Sequence, residues 1–251
     1  MRYIGLDLAS CSGWAFFEDD RLLERGTIQL MSQMDLPQKL HYFHLELKNL
    51  LTRLKPEYAF IEDVLLGISG AKTLAFLARL NGIAINVAYE VLQNKVKLYY
   101  PTYWKANSGL GLSGMAKKWQ IQLSIIQKYN IPITGNFDNI NQDCREYEDR
   151  INLIKCTLEA KRDIDKKQTA IALKKKNQLN DELIIIAQKN AIDARKSIQE
   201  LKIRLKNEQV SFDKRMIKIS TDITSQTGMS SDVCDACGVA RCGWLEIIGN
   251  E

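Results

Sequence analysis

Histidine is scarce in this chain, with only His41 and His44 among 251 residues. Both lie among Leu40, Tyr42, Phe43, Leu47 and Leu50, whose spacing is helical, and read as positions on an amphipathic helix rather than as catalytic groups. Acid–base chemistry and metal ligation therefore fall to carboxylates or cysteines. No apolar run approaches the roughly 18–20 residues of a membrane span. The start, Met1 to Ser10, lacks the basic-then-apolar build of a secretory signal. The expectation is a cytoplasmic protein without a membrane partner.

A second Cys-x-x-Cys pair is missing as well. Cys234, Cys237 and Cys242 supply one such spacing, whereas structural zinc takes four ligands. They read as small buried helix residues, and the six cysteines as free thiols of a reducing compartment. A phosphate loop is absent too, because Gly67-Ile68-Ser69-Gly70-Ala71-Lys72-Thr73 has no glycine directly before the lysine. That segment reads either as a plain turn or as a loop offering amides and Lys72 to a nucleic-acid phosphate.

What is present is an ordinary globular composition, 45% hydrophobic, with a formal net charge of +5 that permits nucleic acid without demanding it. Tyr3–Leu8, Trp14–Glu18 and Leu22–Leu30 read as three antiparallel strands, the last two joined by a turn at Glu18-Asp19-Asp20-Arg21. Leu36–Leu54 has helical spacing and is closed by Pro56. Tyr58–Ile61 is a short strand running into Glu62-Asp63, Ala71–Leu92 a helix, and Lys95–Tyr100 a fifth strand ended by Pro101. This order predicts an α/β fold with a mixed sheet flanked by helices.

Residues 138–212 differ in character. Ile140, Cys144, Tyr147, Ile151, Ile154 and Leu158 alternate steps of four and three, and the rhythm returns at Ile184, Ala187, Ala191, Ala194, Ile198, Leu201 and Leu205. With a turn near Asn177-Gln178-Leu179-Asn180-Asp181, the pattern predicts a long antiparallel helical hairpin, a coiled coil with arms of roughly 40–55 Å. The expected division is a discontinuous domain, 1–137 and 213–251, with 138–212 inserted. Residues 139–212 hold 16 Lys/Arg against 12 Asp/Glu, which suits either a solvated coiled coil or a nucleic-acid contact. Met216–Ile223 reads as a strand or extended segment and Met229–Trp244 as a helix rich in small residues.

Four carboxylates stand out. Asp7 lies in an apolar strand and Glu62 at the end of another, where a carboxylate is costly unless it meets a cation or strong donors. Asp232 and Asp235, three apart, share one helix face. Drawn into one site, they would repel one another and favour divalent cations. Two Mg²⁺ ions held by such hard oxygen ligands are what phosphodiester hydrolysis needs. Asp63 and Asp222 are set aside, since Asp63 should point away from Glu62 if the strand continues. Tyr99, Tyr100, Tyr103 and Trp104 stand near Lys97, Lys105, Lys117 and Lys118. The lysines read as DNA contacts and most of the aromatics as core.

These blocks resemble RuvC-like resolvases of the RNase H-like superfamily. Gly5-Leu6-Asp7-Leu8-Ala9 with Gly13-Trp14-Ala15 is similar to their opening strand and hairpin, and Ala59-Phe60-Ile61-Glu62 to their strand ending in a catalytic Glu. Pro101-Thr102-Tyr103-Trp104-Lys105, followed by the glycine-rich stretch Gly109–Gly114, resembles the segment before their next helix. Asp232-Val233-Cys234-Asp235-Ala236 resembles their last helix. The likeness covers about residues 1–135 and 216–245, in order, and the hairpin departs from it. It implies an RNase H-like fold and a homodimer that nicks branched DNA, four-way (Holliday) junctions first. It also implies Asp7, Glu62, Asp232 and Asp235 as catalytic metal ligands for two Mg²⁺ ions, with Mn²⁺ able to substitute. Lys72, Lys105, Lys117 and Lys118 are the expected DNA contacts, and the hairpin would clamp DNA, enlarge the dimer interface or recruit a protein partner. Another RNase H-like nuclease, for forks, flaps or mobile-element recombination, and a non-catalytic binder of branched DNA remain as alternatives. ATPases of this superfamily fit less well, because their glycine-rich adenosine-binding segments are not found.

Overall fold

Strands alternate with helices in the order set by the apolar pattern. The computed structural model describes residues 1–64, 70–133, 137–174 and 181–249. They form β1 (Arg2–Asp7), β2 (Cys11–Glu18), β3 (Arg21–Gln29), α1 (Leu36–Leu54), β4 (Tyr58–Glu62), α2 (Ala71–Leu92) and β5 (Val96–Tyr99). There follow α3 (Pro101–Asn107), α4 (Lys118–Lys128), α5 (Phe137–Lys174), α6 (Asp181–Thr227) and α7 (Ser231–Ile248). The sheet order is β3-β2-β1-β4-β5. β1–β2 and β2–β3 pair antiparallel, while β1–β4 and β4–β5 pair parallel. This is the mixed sheet expected from the sequence.

The period of two along each strand divides the core. Ile4, Leu6, Ala59 and Ile61 turn to α1 and α2, meeting Phe43, Leu47, Leu51, Leu80, Ala84 and Val87. Tyr3, Ala15, Phe17 and Phe60 turn to the other face, where α7 lies with Val233, Ala236, Cys237 and Ala240. Asp7 shares the parity of Tyr3, and Glu62 that of Phe60. Both carboxylates therefore belong to the α7 face. The same parity fixes their height: Leu6 pairs with Ile61 in the parallel β1–β4 ladder, so Asp7 and Glu62 follow side by side at its end.

Local signals explain the helix limits. Asp35 and Gln38 bond reciprocally at the start of α1, at 2.8 and 2.9 Å, and α1 ends at Lys55 in the left-handed region (φ 49°) just before Pro56. By length and mean hydropathy, 1.2, α2 alone among the described helices could span a membrane. Lys72, Arg79 and Glu90 interrupt it, so the sequence shows no continuous run, and Leu80, Ala84, Val87 and Ala88 pack it onto the sheet. Tyr99 and Trp104 are buried, but Tyr100 and Tyr103 are exposed, which corrects the assignment of most aromatics there to the core.

The chain divides into two units, Met1–Ile133 with Ile219–Glu251, and Thr134–Lys218. The second consists of α5 and most of α6. Its cross-helix contacts run in opposite senses: Asp143 with Arg215, Tyr147 stacked on Phe212, Arg150 with Glu208, and Asp165 with Arg195. The pairing is thus antiparallel, with Ile151, Ile154, Leu158, Ala187, Ala191 and Ala194 buried along the seam. The 38 residues of α5 span about 57 Å. The expected turn at Asn177–Asp181 falls outside the described residues except for the backbone of Asp181. Met216–Ile223 is helical, within α6, rather than extended. Met216 and Ile223 are both buried, seven residues apart, so the period that holds this segment is 3.5 and not 2.

Candidate active site

The end of the sheet where Asp7 and Glu62 stand is closed by the N-terminus of α7. Ser230 caps this helix by accepting the Val233 N–H, at 3.3 Å, and Asp232 in the first turn complements the helix dipole. Two strand glycines allow the helix to come this close. A Cβ on Gly5 would stand 2.0 Å from the Ala236 carbonyl oxygen, and one on Gly13 would stand 2.2 Å from the backbone of Asp232. The small buried residues of α7, Cys234 and Cys237 among them, serve the same approach. Among the described residues the cysteines belong to no metal-holding group.

Asp7, Glu62, Asp232 and Asp235 line one cleft of about 710 Å³, together with Ser10, Asp63, Lys72, Lys105 and Lys118. Three of the four expected DNA-contact lysines are brought there and Lys117 is not; its backbone N–H bonds Gln120 at the start of α4. Asp63 lines the cleft as well, but its carboxylate accepts from the Val64 N–H at 2.7 Å and from Asn81 at 3.4 Å. Asp222 is exposed on α6 and lies outside the cleft lining.

The electrostatics are those of negative charge held out of water. Burial raises the pKa of Asp7 well above the usual carboxylate range, reinforced by Glu62, Asp235 and Asp232. Burial and then the Asp235 charge push Glu62 up to about 7, against the Trp104 hydrogen bond and the Lys105 and Lys118 charges. Asp235 is pushed to about 6, again by burial first and with Asp232 adding to it, while Lys118 and Lys105 pull it down. Asp235 is 6% exposed, and its Oδ1 has no hydrogen-bond partner. Lys118 binds Asp232 at 3.1 Å; burial works against its charge, but Asp235 and Asp232 outweigh that and raise its pKa.

A buried carboxylate oxygen without a donor, beside three more acids, fits a hard divalent cation. The fit is not that of a finished cage. Among the described residues no three His, Cys, Asp or Glu side chains are gathered closely enough to enclose an ion. Glu62 accepts from Trp104, and Asp232 pairs with Lys118. Sequence reasoning missed both partners' roles: the Trp104 Nε1–H donates to Glu62 Oε2 at 2.9 Å, and Lys118 pairs with an acid rather than standing free.

Comparison with known proteins gives the cleft a context. The chain is 25% identical over 143 residues to a crossover junction endodeoxyribonuclease RuvC from Ehrlichia chaffeensis, covering 55% of this chain and 88% of that protein. Over that stretch the chain is similar to RuvC. A second RuvC, from Magnetococcus marinus, is 35% identical over 69 residues, 26% of this chain and 38% of its own length. Two Thermus thermophilus RuvC structures, one in complex with a Holliday junction substrate, superpose with a TM-score of 0.45 at 18% and 16% identity. Each covers 54% of this chain, and 84% and 83% of its own. No protein-family profile matches the chain. The matched stretch accounts for little more than half the sequence.

Proposed function

We propose that this chain is a metal-dependent endonuclease that cleaves branched DNA, four-way junctions foremost. The observation that carries the reading is the cleft itself, where Asp7, Glu62, Asp232 and Asp235 meet and Asp235 keeps a buried oxygen without a partner. The likeness to proteins named as crossover junction endodeoxyribonucleases supports the substrate.

In this reading the four acids hold two Mg²⁺ ions, or Mn²⁺ in their place. Such ions, when bound, supply a deprotonated water and stabilise the leaving oxygen. The chain's residues supply the rest. β1 and β4 fix Asp7 and Glu62 at adjacent strand ends, and the α7 N-terminus brings Asp232 and Asp235 over them. Lys105 and Lys118 balance the carboxylate charge and offer positive charge to a phosphodiester, while Lys72, across the cleft on α2, and Lys117, at the start of α4, contact the DNA backbone. A homodimer sets two such clefts on opposing strands of the junction. The enzyme works in the cytoplasm, and residues 138–212 form an inserted hairpin that binds DNA, a second subunit or a protein partner.

A non-catalytic binder of branched DNA is the second reading, favoured by one observation: the acids do not enclose a metal as they stand. Asp7→Asn and Asp235→Asn separate the two. The nuclease reading expects each variant to lose at least about 100-fold in junction cleavage, beyond the 10–100-fold typical of losing an outer ligand partner, with junction binding retained. Cleavage at normal rates by both variants contradicts the site. Junction binding without cleavage by the unaltered protein, in Mg²⁺ and in Mn²⁺, leaves the binder.

A further inference from the structure

Trp104 is among the largest side chains with no exposure. An indole N–H removed from water needs an acceptor, and this one donates to Glu62 Oε2 at 2.9 Å. The six-membered ring lies on α7. A Cβ at Gly238 would stand 2.3 Å from Cζ3 of Trp104, so any larger residue there would displace the indole. Gly238 is three residues beyond Asp235, one turn along the same helix. One rigid side chain therefore bonds the strand-borne carboxylate and packs against the helix that carries two others. Glutamate has three rotatable bonds, and Glu62 stands beside Asp7 and Asp235, whose charges repel it. Among its described contacts Trp104 gives its carboxylate a directed hydrogen bond, whereas Lys105 and Lys118 act on it through charge alone.

We propose that Trp104 is a positioning residue: its indole N–H, held in place by the packing of its ring at Gly238, fixes the rotamer of Glu62 and so sets the divalent-cation affinity of the cleft. The inference rests on reading the cleft as a cation site. It concerns a residue that touches no substrate and acts only through Glu62. Aromatic bulk alone does not satisfy it, because the donor is what Glu62 receives.

The test measures Mn²⁺ affinity of the full chain without DNA, from the electron paramagnetic resonance of free Mn²⁺. Trp104→Phe removes the donor and one ring. Benzothienylalanine at position 104 keeps the bicyclic shape and replaces only the N–H by sulfur, which keeps the experiment decisive if the Phe variant fails to fold. Both replacements should weaken Mn²⁺ about 10–100-fold, as loss of an orienting partner does, and neither should weaken it further in a Glu62→Gln background. Unchanged affinity in the benzothienyl protein overturns the proposal, as does an equal loss in both backgrounds, which would mean packing alone. Asp7→Asn serves as the reference. If it leaves Mn²⁺ binding untouched, the cation-site reading itself fails and this inference with it. If it abolishes binding while the change at position 104 does nothing, only the role of Trp104 is wrong.

Discussion

Glu62 and Asp235 carry folded-state pKa values near 7 and 6, against ordinary values of 4.5 and 3.8, chiefly because they are buried. Asp7 is shifted in the same direction. Between about pH 4 and 7 the folded protein therefore binds more protons than the unfolded chain, so stability falls as pH rises through that window. In EDTA, the melting temperature should drop by several degrees from pH 5 to pH 8, at roughly 2–4 °C per kcal/mol for a chain of this size. Mg²⁺ at pH 8 should restore it, and Asp235→Asn should remove part of the slope. A flat or rising profile in EDTA would contradict the placement of these acids. Such a site was partly legible in the sequence, because an acid in an apolar strand and an Asp-x-x-Asp pair on a helix are local patterns. The Trp104–Glu62 bond was not, since it depends on α3 folding back beside β4, 42 residues away in sequence.

Strand parity and helix packing decide which acids meet. Gly5 and Gly13 let α7 lie directly on β1 and β2, and the sequence singled out neither for this purpose, because close approach is a property of two elements at once. Gly13→Ala would push the backbone of Asp232 away from the sheet. It should cost about 1–3 kcal/mol, as overpacking does, and lower cleavage more than junction binding. Unaltered unfolding and cleavage would contradict the close packing of α7. The limits of α1 and α2 were legible from spacing and breakers. The end of α6 was not: its β-branched residues at Ile217, Ile219 and Ile223 favour strand locally, while burial of Met216 and Ile223 holds it helical.

At the scale of the whole molecule, the two units carry separate sets of contacts. The sheet, α1–α4 and α7 hold the cleft, and the long helices α5 and α6 bury their own seam. Removing residues 140–210 and rejoining the ends with a short linker should leave a folded protein whose Mg²⁺-dependent cleavage survives within about tenfold, a difference of about 1.4 kcal/mol in barrier. Failure of that protein to fold would show that the hairpin belongs to the same cooperative unit as the sheet. The heptad rhythm made the hairpin visible in the sequence, whereas its partner was not, because exposed residues such as Leu153, Ile192 and Ile203 do not name what covers them.

The central claim is a carboxylate-based, metal-dependent nuclease acting on junctions. It is tested most directly by incubating the purified chain with labelled four-way junction, Y-fork, linear duplex and single strand, in Mg²⁺ or EDTA, beside Asp7→Asn. The account predicts paired nicks in the junction, in preference to the other substrates, that vanish in EDTA and in the variant. Cleavage that persists in EDTA or in Asp7→Asn, or no cleavage of any substrate in Mg²⁺ and Mn²⁺, would contradict it.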